Sequence, residues 1–356
     1  MLILGIESSC DETAAALVCD STKIEQRILS NVVLSQDKEH RPFGGVVPEI
    51  AARAHLEHMD DIIMSAMTAA DVSFDEIDGI AATGGPGLIG GVIVGIMSAK
   101  AIASVKKKPF IAVNHLEGHA LTARLTSNIS FPYLLLLVSG GHCQLLIVED
   151  IGKYKRLGTT VDDALGEAFD KCAKMMGLGY PGGPRVEAAA KTGDEKRFNL
   201  PRPMRGRKGC HFSFSGLKTA VRRQIEQIGS GNMNSQDIAD LCASFQQAAG
   251  DVLIDRCKNG LNQFRSIYPT ENILVVAGGV AANKSIGNRL AELKHTENIQ
   301  LIIPPTELCT DNAAMIAWAG IEKLKSGHTS SLDFKPRPRW PLDPNAPPAI
   351  GAGVKA

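Results

Sequence analysis

Two histidines four residues apart are the first feature of this chain whose type and spacing could do chemistry. His115 and His119 follow a short apolar run at residues 110–113, which predicts a strand, and they open a helical pattern. On a helix, side chains four positions apart leave the same face, so both imidazoles could bind one metal ion. The alternative is a helix that carries two unrelated histidines.

The glutamate beside these histidines does not match a metalloprotease. In the protease pattern H-E-x-x-H the glutamate directly follows the first histidine and acts as general base. Glu117 instead comes two residues after His115, which at about 3.6 residues per turn is a rotation of roughly 200°. Glu117 is therefore predicted to point away from the metal face, and the protease interpretation is disfavoured.

Asp311 is the acid best placed to complete a site with the two histidines. It directly precedes Asn312 and an apolar helical pattern. Two histidines and one carboxylate form the ligand set of many non-haem iron sites and leave positions open for a substrate. The alternative is that Asp311 serves only as the N-cap of this helix.

The composition is that of a globular chain of about two domains. The formal net charge of the 356 residues is zero, so contact with nucleic acid would need a local basic patch. The eight cysteines are scattered and never form C-x-x-C, which argues against a zinc knuckle or a disulfide scaffold and for a reducing compartment. No basic leader precedes the first strand pattern, and the most apolar long stretch, residues 88–99, is too short to span a membrane. We expect a cytoplasmic protein without membrane contact.

The same strand–turn–strand plan occurs once in each half of the chain. Residues 2–7 and 14–18 flank a small polar turn that contains Asp11, and residues 133–138 and 142–148 flank a Ser-Gly-Gly turn. This repeat predicts a duplicated α/β domain with a ligand-binding cleft between the copies. Backbone N–H groups in both turns could face an anion. Plain hairpin turns, with Asp11 as an Asx-turn residue, are the alternative.

A glycine pattern after a predicted strand satisfies G-x-G-x-x-G through Gly85, Gly87 and Gly90. A dinucleotide site of this type also needs an acid about 20 residues further on for the ribose. No Asp or Glu occurs between Asp78 and Glu117. We therefore interpret these glycines as close helix–sheet packing, with a helix N-terminus available to the site.

Four further residues occupy positions where a substrate could be bound. Residues 162–171 are predicted to form the start of a helix, with acids at its N-terminal end, and Asp170 lies in this helix. Gly183 belongs to a rigid turn before a helix that carries Glu187, and Asn283 follows a strand and a glycine turn. A solvated helix acid is the default interpretation of Asp170, whereas Asn283 offers both a donor and an acceptor for a base or ribose.

The segment at residues 191–223 concentrates positive charge. Ten Lys or Arg against two acids give it a net charge of +8 in a neutral protein. Phe198, His211, Phe212 and Phe214 lie among these cations, and cations with stacking groups are typical of a nucleic-acid surface. A solvated charged face is the alternative.

Nine stretches, in order along nearly the whole chain, resemble the bacterial tRNA N6-adenosine threonylcarbamoyltransferase family (TsaD, formerly described as O-sialoglycoprotein endopeptidase). They are GIESSCDETAAAL from Gly5, GGVVPEIAARAH from Gly44, NHLEGHA from Asn114, LVSGGHCQL from Leu137, GEAFDKCAK from Gly166, YPGGP from Tyr180, FSFSGLKTA from Phe212, GGVAAN from Gly278 and CTDNAAMIAWAG from Cys309. The number and order of these motifs make the resemblance specific.

The resemblance implies an α/β fold of the ASKHA class, as in actin and sugar kinases, with two ribonuclease-H-like lobes around a nucleotide cleft. The N-terminal lobe is expected to comprise residues 1–128, completed by a returning helix and tail at 312–346. The C-terminal lobe is expected to comprise residues 129–311, with the substrate loops and the basic segment 191–223.

The resemblance also implies roles for individual residues. His115, His119 and Asp311 match the ligands of one divalent metal, usually assigned as Fe²⁺, with Zn²⁺ and Mg²⁺ as the other candidates. The residues that match the family's adenylate-binding positions are Val138, Ser139, Gly140, Gly141, His142, Asp170, Gly183, Glu187 and Asn283. Glu187 stands where many members have Asp, and Asp11 matches an acid of the first hairpin that is assigned a catalytic role.

The implied reaction transfers a threonylcarbamoyl group from threonylcarbamoyl-AMP to the exocyclic N6 amine of the adenosine beside the anticodon. The implied substrates are tRNAs that read codons beginning with A. A weak amine nucleophile needs an activated acyl donor, which an adenylate supplies. The implied partners are tRNA, a TsaB-like paralogue and a TsaE-like ATPase.

Two other functions fit parts of the sequence. A metalloendopeptidase is supported by the histidine pair and opposed by the displaced Glu117. A sugar-kinase-like or purely ATP-binding module suits the duplicated hairpins, because one fold supports many functions. That second interpretation gives no role to His115 and His119.

Overall fold

The structure, a computed structural model, describes residues 1–229 and 231–347. The chain divides into two compact units. Unit 1 comprises Met1–Ser130 and Pro304–Pro344, and unit 2 comprises Phe131–Ile303 and the tail that begins at Asn345. Asp311 therefore lies in the same unit as the two histidines.

The strands, in chain order, are β1 (Leu2–Glu7), β2 (Glu12–Cys19), β3 (Ile28–Ser35), β4 (Gly79–Gly85), β5 (Phe110–Asn114), β6 (Tyr133–Val138), β7 (Cys143–Asp150), β8 (Lys153–Thr159), β9 (Ile273–Ala277) and β10 (Gln300–Ile302). The α-helices are α1 (Asp37–His40), α2 (Pro48–Ala70), α3 (Ile89–Lys106), α4 (His115–Thr126), α5 (Leu165–Met175), α6 (Gly182–Ala190), α7 (Ser215–Ile228), α8 (Ser235–Ile267), α9 (Lys284–Thr296), α10 (Thr306–Cys309) and α11 (Ala313–Lys325). Short 3₁₀ turns lie at Ile24–Gln26, Arg41–Phe43 and Gly279–Ala282.

Each unit is built on a five-stranded sheet with the same topology. The strand order is β3-β2-β1-β4-β5 in unit 1 and β10-β9-β6-β7-β8 in unit 2. In both sheets the first three strands of the unit pair antiparallel. A fourth strand pairs in parallel with the first, and a fifth pairs in parallel with the fourth. The strand–turn–strand plan seen twice in the sequence is therefore the start of each sheet.

Long apolar runs form the strands at the centre of each sheet. All six residues of β6 are buried, as are five of the six residues of β1. Strands buried on both faces show continuous apolar runs rather than alternation, because helices cover both faces of the sheet. In unit 1, α2 and α3 pack their apolar positions together with β1 and β4 in one core.

A glycine in β1 lets helix α11 approach the sheet closely. A Cβ atom at Gly5 would lie 2.4 Å from the backbone oxygen of Ala313 and 2.6 Å from the backbone nitrogen of Ala317. Gly320 gives similar access on the same helix, because its Cβ would lie 2.6 Å from the Cβ of Ala81. These contacts fix the N-terminal end of α11, which follows Asp311, against the sheet.

Two sequence-based expectations about local structure were wrong. Helix α3 begins at Ile89 and continues beyond the apolar stretch to Lys106, so by length and composition it could cross a membrane. Core helices of soluble proteins meet the same criterion, and the buried face of α3 packs on β4. The acids at 162 and 163 precede helix α5 rather than opening it.

The C-terminal tail follows α11 back to the sheet of unit 1. Phe334 packs over Gly84 at the end of β4, where a Cβ atom would lie 2.8 Å from its ring. The backbone N–H of Arg337 donates to the backbone oxygen of the same glycine at 2.8 Å. The tail therefore covers the carboxyl end of β4.

Candidate metal centre

Helix α4 begins directly at the end of strand β5, so its first residue lies at the edge of the sheet. The side chain of Asn114 caps the helix by accepting a 2.9 Å hydrogen bond from the backbone N–H of Leu116. Its amide group donates to the backbone oxygen of Trp340 at 2.9 Å. The C-terminal tail is therefore hydrogen-bonded to the residue that immediately precedes His115.

Asp311 does not cap helix α11, contrary to one of the two interpretations that the sequence left open. The N-cap is Asn312, which is fully buried and accepts a 3.1 Å hydrogen bond from the backbone N–H of Met315. Its amide group also donates to the backbone oxygen of Thr310 at 2.8 Å. The capping function is fulfilled by the next residue, so the Asp311 carboxylate faces the histidines of α4.

Gly118, which lies between the two histidines in sequence, allows α4 and α11 to pack closely. A Cβ atom there would lie 2.8 Å from Cδ1 of Ile316 and 3.2 Å from Cγ of Met315. Both of these side chains belong to the first turns of α11. The close approach of the two helices brings the histidine pair to the carboxylate that precedes α11.

His115, His119 and Asp311 meet in one cluster, as the sequence predicted for these three residues. Oδ1 of Asp311 lies 3.0 Å from Nε2 of His119 and 3.6 Å from Nε2 of His115. One ligand atom from each residue lies within 4.8 Å of the others. Ligands about 2.1 Å from a shared ion in tetrahedral or octahedral geometry are separated by roughly 3 to 3.5 Å. The two distances from Asp311 match the spacing around a small divalent cation.

The chemistry of the three side chains also suits a metal, and one ring nitrogen of His119 lies outside the cluster. Nδ1 of His119 is buried and has no hydrogen-bond partner within residues 1–229 and 231–347. Nε2, not Nδ1, is the nitrogen that faces Asp311, so Nδ1 lies on the side of the ring away from the candidate metal position. Two imidazoles and one carboxylate, all buried or half-buried, are a donor set suited to a divalent transition metal.

Glu7 is a functional residue of this site that no motif in the sequence identified. It is fully buried at the end of β1, and its Oε2 lies 3.0 Å from Nδ1 of His115. The same side chain accepts hydrogen bonds from the hydroxyl of Thr83 and the backbone N–H of Ser9. A carboxylate that holds the second nitrogen of a histidine orients its first nitrogen toward a metal. An acid at the end of an otherwise apolar buried strand is the sequence signal that could have found it.

The charges of this cluster are strongly coupled. Burial alone would lower the pKa of His115, but the carboxylates of Asp311 and Glu7 raise it to about 9. Burial would likewise raise the pKa of Glu7, but the attraction of His115 holds it below its usual value. The pair is therefore an imidazolium and a carboxylate when no cation competes for the histidine.

Glu117 lies away from this cluster, in agreement with the helical-wheel argument. It is buried, and its Oε2 forms a 2.8 Å ion pair with Nζ of Lys323 on α11. A general base for a metalloprotease would have to reach a metal-bound water. The ion pair with Lys323 assigns Glu117 to the packing of α4 on α11.

Asp11 lies in the turn between β1 and β2, close to the cluster. Ser9, two residues before it, places its hydroxyl 3.1 Å from Nδ1 of His115. Burial, followed by the charges of Asp11 and Asp311, raises the pKa of Glu12 well above its usual value. The turn therefore adds a second group of acids beside the candidate metal ligands.

The predicted loop of unit 2 is a tight turn between β6 and β7. The backbone N–H of Ser139 donates to the backbone oxygen of His142 at 2.8 Å, and the N–H of His142 donates to the hydroxyl of Ser139 at 3.1 Å. A Cβ atom at Gly140 or Gly141 would have no neighbour within 4 Å. The two glycines therefore leave open space above an exposed backbone.

Two other glycines allow neighbouring elements to contact this loop. A Cβ at Gly278, which follows β9 with a φ of 94°, would lie 2.5 Å from the backbone oxygen of Val138. A Cβ at Gly166, in the first turn of α5, would lie 2.7 Å from the backbone oxygen of Ser139. Because β6 and β9 are parallel, their carboxyl ends meet at one edge of the sheet, which is where ligands of α/β sheets bind.

The remaining candidates of unit 2 surround the N-termini of α6 and α9. Asp170 accepts a 2.8 Å hydrogen bond from the backbone N–H of Gly182, and Glu187 accepts one of 2.8 Å from the backbone N–H of Lys284. A Cβ atom at Gly183 would meet no atom within 4 Å, so the backbone there is open to a ligand. These contacts bring three of the predicted residues into one region of unit 2.

Asn283 has a structural function that its sequence position did not indicate. It caps α9 by accepting a 3.0 Å hydrogen bond from the backbone N–H of Ile286. Its amide group donates to Oε1 of Gln246 at 2.8 Å, and the side chain is buried. Both polar groups of Asn283 are thus engaged within the protein.

Acids from outside the basic segment 191–223 pair with several of its Lys and Arg side chains. Arg197 pairs with Asp237 and Asp240 on α8, and Arg202 pairs with Asp251 at 2.9 Å. Further pairs join Arg205 to Asp251, Lys218 to Asp163 and Arg222 to Glu226. Acids outside the segment therefore neutralise about half of its cations.

Two of the predicted stacking groups in this segment are not available to a ligand. Phe212 and Phe214 are fully buried and stack on each other with ring centroids 6.2 Å apart. His211 is exposed and Phe198 is half-buried. The prediction of an aromatic stacking surface is wrong for the two buried phenylalanines, because their alternation directs them into the core.

Solved structures show the class of fold. The full-length structure of HypF in its phosphate- and nucleotide-bound form superposes with a TM-score of 0.58 at 12% sequence identity, over 92% of this chain and 47% of HypF. HypF from T. kodakarensis gives a TM-score of 0.60 at 13% identity, over 91% of this chain and 48% of that protein. The chain is an α/β protein of the ASKHA class, with two five-stranded sheets, as predicted.

Sequence relatives define the family. Residues 27–318 match the family described as TsaD, tRNA N6-adenosine threonylcarbamoyltransferase. Proteins of that name from Rhodospirillum rubrum and Bartonella tribocorum are 62% and 58% identical to this chain, each over 99% of it and 98% of their own length. This chain belongs to the tRNA N6-adenosine threonylcarbamoyltransferase family and is a transferase that modifies tRNA.

Proposed function

We propose that this enzyme transfers the threonylcarbamoyl group of threonylcarbamoyl-AMP to the N6 amine of the adenosine beside the anticodon. We propose tRNAs that read codons beginning with A as its substrates. The observation that carries the proposal is the cluster of His115, His119 and Asp311, with His115 held by Glu7, in a member of this transferase family.

The proposed reaction balances as an acyl transfer. The N6 amine attacks the carbamoyl carbon, a C–N bond forms, the C–O bond to the phosphate of AMP breaks, and AMP leaves as an anion. The amine loses one proton. Asp11 is our candidate for the group that handles this proton, because its turn contacts His115 through Ser9.

We propose that His115, His119 and Asp311 hold one divalent cation, with Fe²⁺ as the first candidate and Zn²⁺ or Mg²⁺ as the others. A bound cation of this kind supplies Lewis-acid polarisation of a carbonyl or phosphoryl oxygen. Glu7 fixes the ring of His115, and the burial of both histidines keeps their donor atoms oriented when substrate binds.

We propose that unit 2 binds the adenylate. The loop at Val138–His142 contains two exposed glycines, Gly140 and Gly141, and a loop of this kind suits a phosphate. Asp170, Gly183 and Glu187 are proposed to contact the nucleotide near the N-termini of α6 and α9, as is Asn283 at the start of α9. This last role requires Asn283 to exchange an internal hydrogen bond for one to the ligand.

The partners that we propose are tRNA, a TsaB-like paralogue and a TsaE-like ATPase, in the cytoplasm. All eight cysteines are free thiols, which is compatible with a reducing compartment. Co-purification of the three proteins, with and without unmodified tRNA, tests this part of the proposal.

A transfer assay tests the reaction itself. Labelled threonylcarbamoyl-AMP and unmodified tRNA are incubated with the wild type, His115→Ala or Asp311→Ala, in the presence of the partners. We expect each variant to lose about 100-fold or more of the transfer rate, because each removes a metal ligand. The control is His328→Ala, since His328 is exposed on the segment after α11. Full activity of both ligand variants would remove the metal from the mechanism.

A further inference from the structure

A tight loop lies within the basic segment, at residues 204–209. Three of its residues have left-handed backbone conformations, with φ values of 66° at Met204, 75° at Gly206 and 83° at Gly209. A non-glycine residue adopts this conformation only where its surroundings hold it there. The loop, named here the 204–209 loop, therefore has one defined course.

Helix α8 supplies the groups that hold this loop. The guanidinium of Arg256, which is 1% exposed, donates to the backbone oxygens of Arg207 and Gly209 at 2.8 and 2.9 Å. The amide of Asn259 donates to the same two oxygens at 3.0 and 2.9 Å. Asp255 pairs with Arg256 and also accepts the backbone N–H of Gly206. A buried cation and an amide thus fix the carbonyl side of the loop.

The other side of the loop presents unpaired positive charge. Arg207 and Lys208 are exposed, and neither forms an ion pair with any acid in the described part of the chain. Their neighbours Arg197, Arg202 and Lys218 are all paired with acids. The acids of α8 therefore neutralise cations that precede the loop, but they do not pair with Arg207 or Lys208.

The chemistry of this surface fits a phosphodiester backbone. Phe212 and Phe214, which could have stacked on bases, are buried in the core. A rigid loop that offers a guanidinium beside an ammonium suits the phosphates of a nucleic-acid backbone, which Arg and Lys bind without reading the base sequence. Such a surface also suits the zero net charge of the protein, which provides no general attraction for a polyanion.

We propose that the 204–209 loop is a preformed contact for the phosphate backbone of the RNA substrate, with Arg207 and Lys208 as the binding residues. This assignment rests on the proposed function, since it takes tRNA as the ligand. Within residues 191–223, it assigns a phosphate contact to two exposed side chains on a loop that α8 holds in place. It also predicts that the contact is independent of RNA sequence.

The test measures binding rather than transfer. The affinity of unmodified tRNA for the wild-type complex with its partners is recorded at salt concentrations from about 50 to 300 mM KCl, and then for the double variant R207A/K208A. We expect the slope of log K against log salt to fall by about 1.5 to 2, and the affinity at low salt to fall about tenfold or more, because two phosphate contacts are lost. R207K/K208R keeps both charges and should retain the slope.

A matched control removes the same charge elsewhere. Lys23 and Lys107 are exposed cations of unit 1 without an ion pair in the described residues, and K23A/K107A changes the net charge equally. Because the side chains of Arg207 and Lys208 are exposed, the melting temperature of R207A/K208A should equal that of the wild type.

The outcomes separate the two proposals. If the wild type binds tRNA and R207A/K208A behaves as K23A/K107A does, the loop assignment is overturned and the proposed function stands. If the wild-type complex does not bind tRNA at all, the proposed function itself fails. If R207A/K208A binds tRNA normally but no longer co-purifies with a partner protein, the loop contacts an acidic protein surface and the RNA assignment is overturned.

Discussion

Nδ1 of His115 lies 3.0 Å from Oε2 of Glu7, a carboxylate 108 positions earlier in the chain. This contact joins the end of strand β1 to the first turn of helix α4. It leaves Nε2 of His115 facing Oδ1 of Asp311 at 3.6 Å. The orientation of His115 is therefore fixed by a residue on the side of its ring away from the candidate metal position.

Replacing Glu7 by Gln should weaken metal binding without removing a ligand. The amide is nearly isosteric with the carboxylate but carries no charge, so it holds the His115 ring less firmly and makes it a weaker donor. We expect the affinity for a divalent probe such as Mn²⁺ or Zn²⁺ to fall about 10- to 100-fold. Titration calorimetry of metal-stripped protein measures this change.

Glu117→Gln is the matched control for that experiment. Glu117 is nearly as deeply buried as Glu7 and lies between the two histidines in sequence, but its partner is Lys323. This variant should lose stability, because it leaves a half-buried lysine without its anion. Its metal affinity should stay within about threefold of the wild type. Equal losses of affinity in both variants would argue against an orienting role for Glu7.

The stability of the metal-stripped protein should fall as the pH rises from about 6.5 to 9. The folded protein raises the pKa of His115 to about 9, against an ordinary value near 6.5, through the charges of Asp311 and Glu7. A raised pKa gives stability that is complete below the unfolded value and is lost as the pH passes through the folded value. Urea unfolding in EDTA at several pH values across about 6.5 to 9 measures the loss.

A bound cation should reverse this dependence of stability on pH. Metal and proton compete for His115, so affinity for the cation should rise about tenfold per pH unit over the same range. Asp311→Asn removes the largest charge that raises the pKa of His115 and should flatten the stability profile of the stripped protein. A profile in the wild type as flat as that in Asp311→Asn would contradict the coupling.

The sequence predicted the elements that consist of long, uniform patterns. The strand at residues 133–138 is β6 (Tyr133–Val138), and the helical pattern that His115 and His119 open is α4 (His115–Thr126). The histidine pair was visible because both residues lie on one helix. Patterns of this kind depend on neighbours in sequence, which is why they can be interpreted without the fold.

Contacts between distant residues could not be predicted in this way. Glu7 looked like the end of an apolar strand, because nothing near it in sequence shows that His115 is its partner. Asp162 looked like the start of α5, yet its carboxylate accepts the backbone N–H groups of Phe214 and Ser215 and so caps α7. A cap formed by a residue about 50 positions away has no local signature.

Gly5→Ala should weaken the metal site although Gly5 is not near any ligand in sequence. The added methyl group would lie 2.4 Å from the backbone oxygen of Ala313, so the backbone of α11 must shift. We expect a loss of about 1 to 3 kcal/mol in the free energy of unfolding. Metal affinity should fall as well, because Asp311 lies two residues before Ala313.

Gly287→Ala provides the comparison for this variant. A Cβ at Gly287, within α9, would meet no atom within 4 Å. Alanine is a better helix former than glycine, so stability should stay equal or rise by up to about 1 kcal/mol. Chemical denaturation and metal titration of both variants check these values. Unchanged metal affinity in a destabilised Gly5→Ala would show that α11 does not position Asp311.

Gly141→Val should separate ligand binding from stability in unit 2. No atom lies within 4 Å of a Cβ at Gly141, so the folded protein can accept the side chain with a change of less than about 0.5 kcal/mol. The same side chain would occupy the open space above the loop, where we propose that the phosphate of the adenylate binds. We expect the affinity for AMP to fall at least about tenfold, which corresponds to about 1.4 kcal/mol. Calorimetric titration with AMP and a thermal melt check both values, and Gly287→Val should leave AMP binding unchanged. If Gly141→Val is as stable as the wild type and binds AMP with the same affinity, the phosphate of the adenylate binds elsewhere.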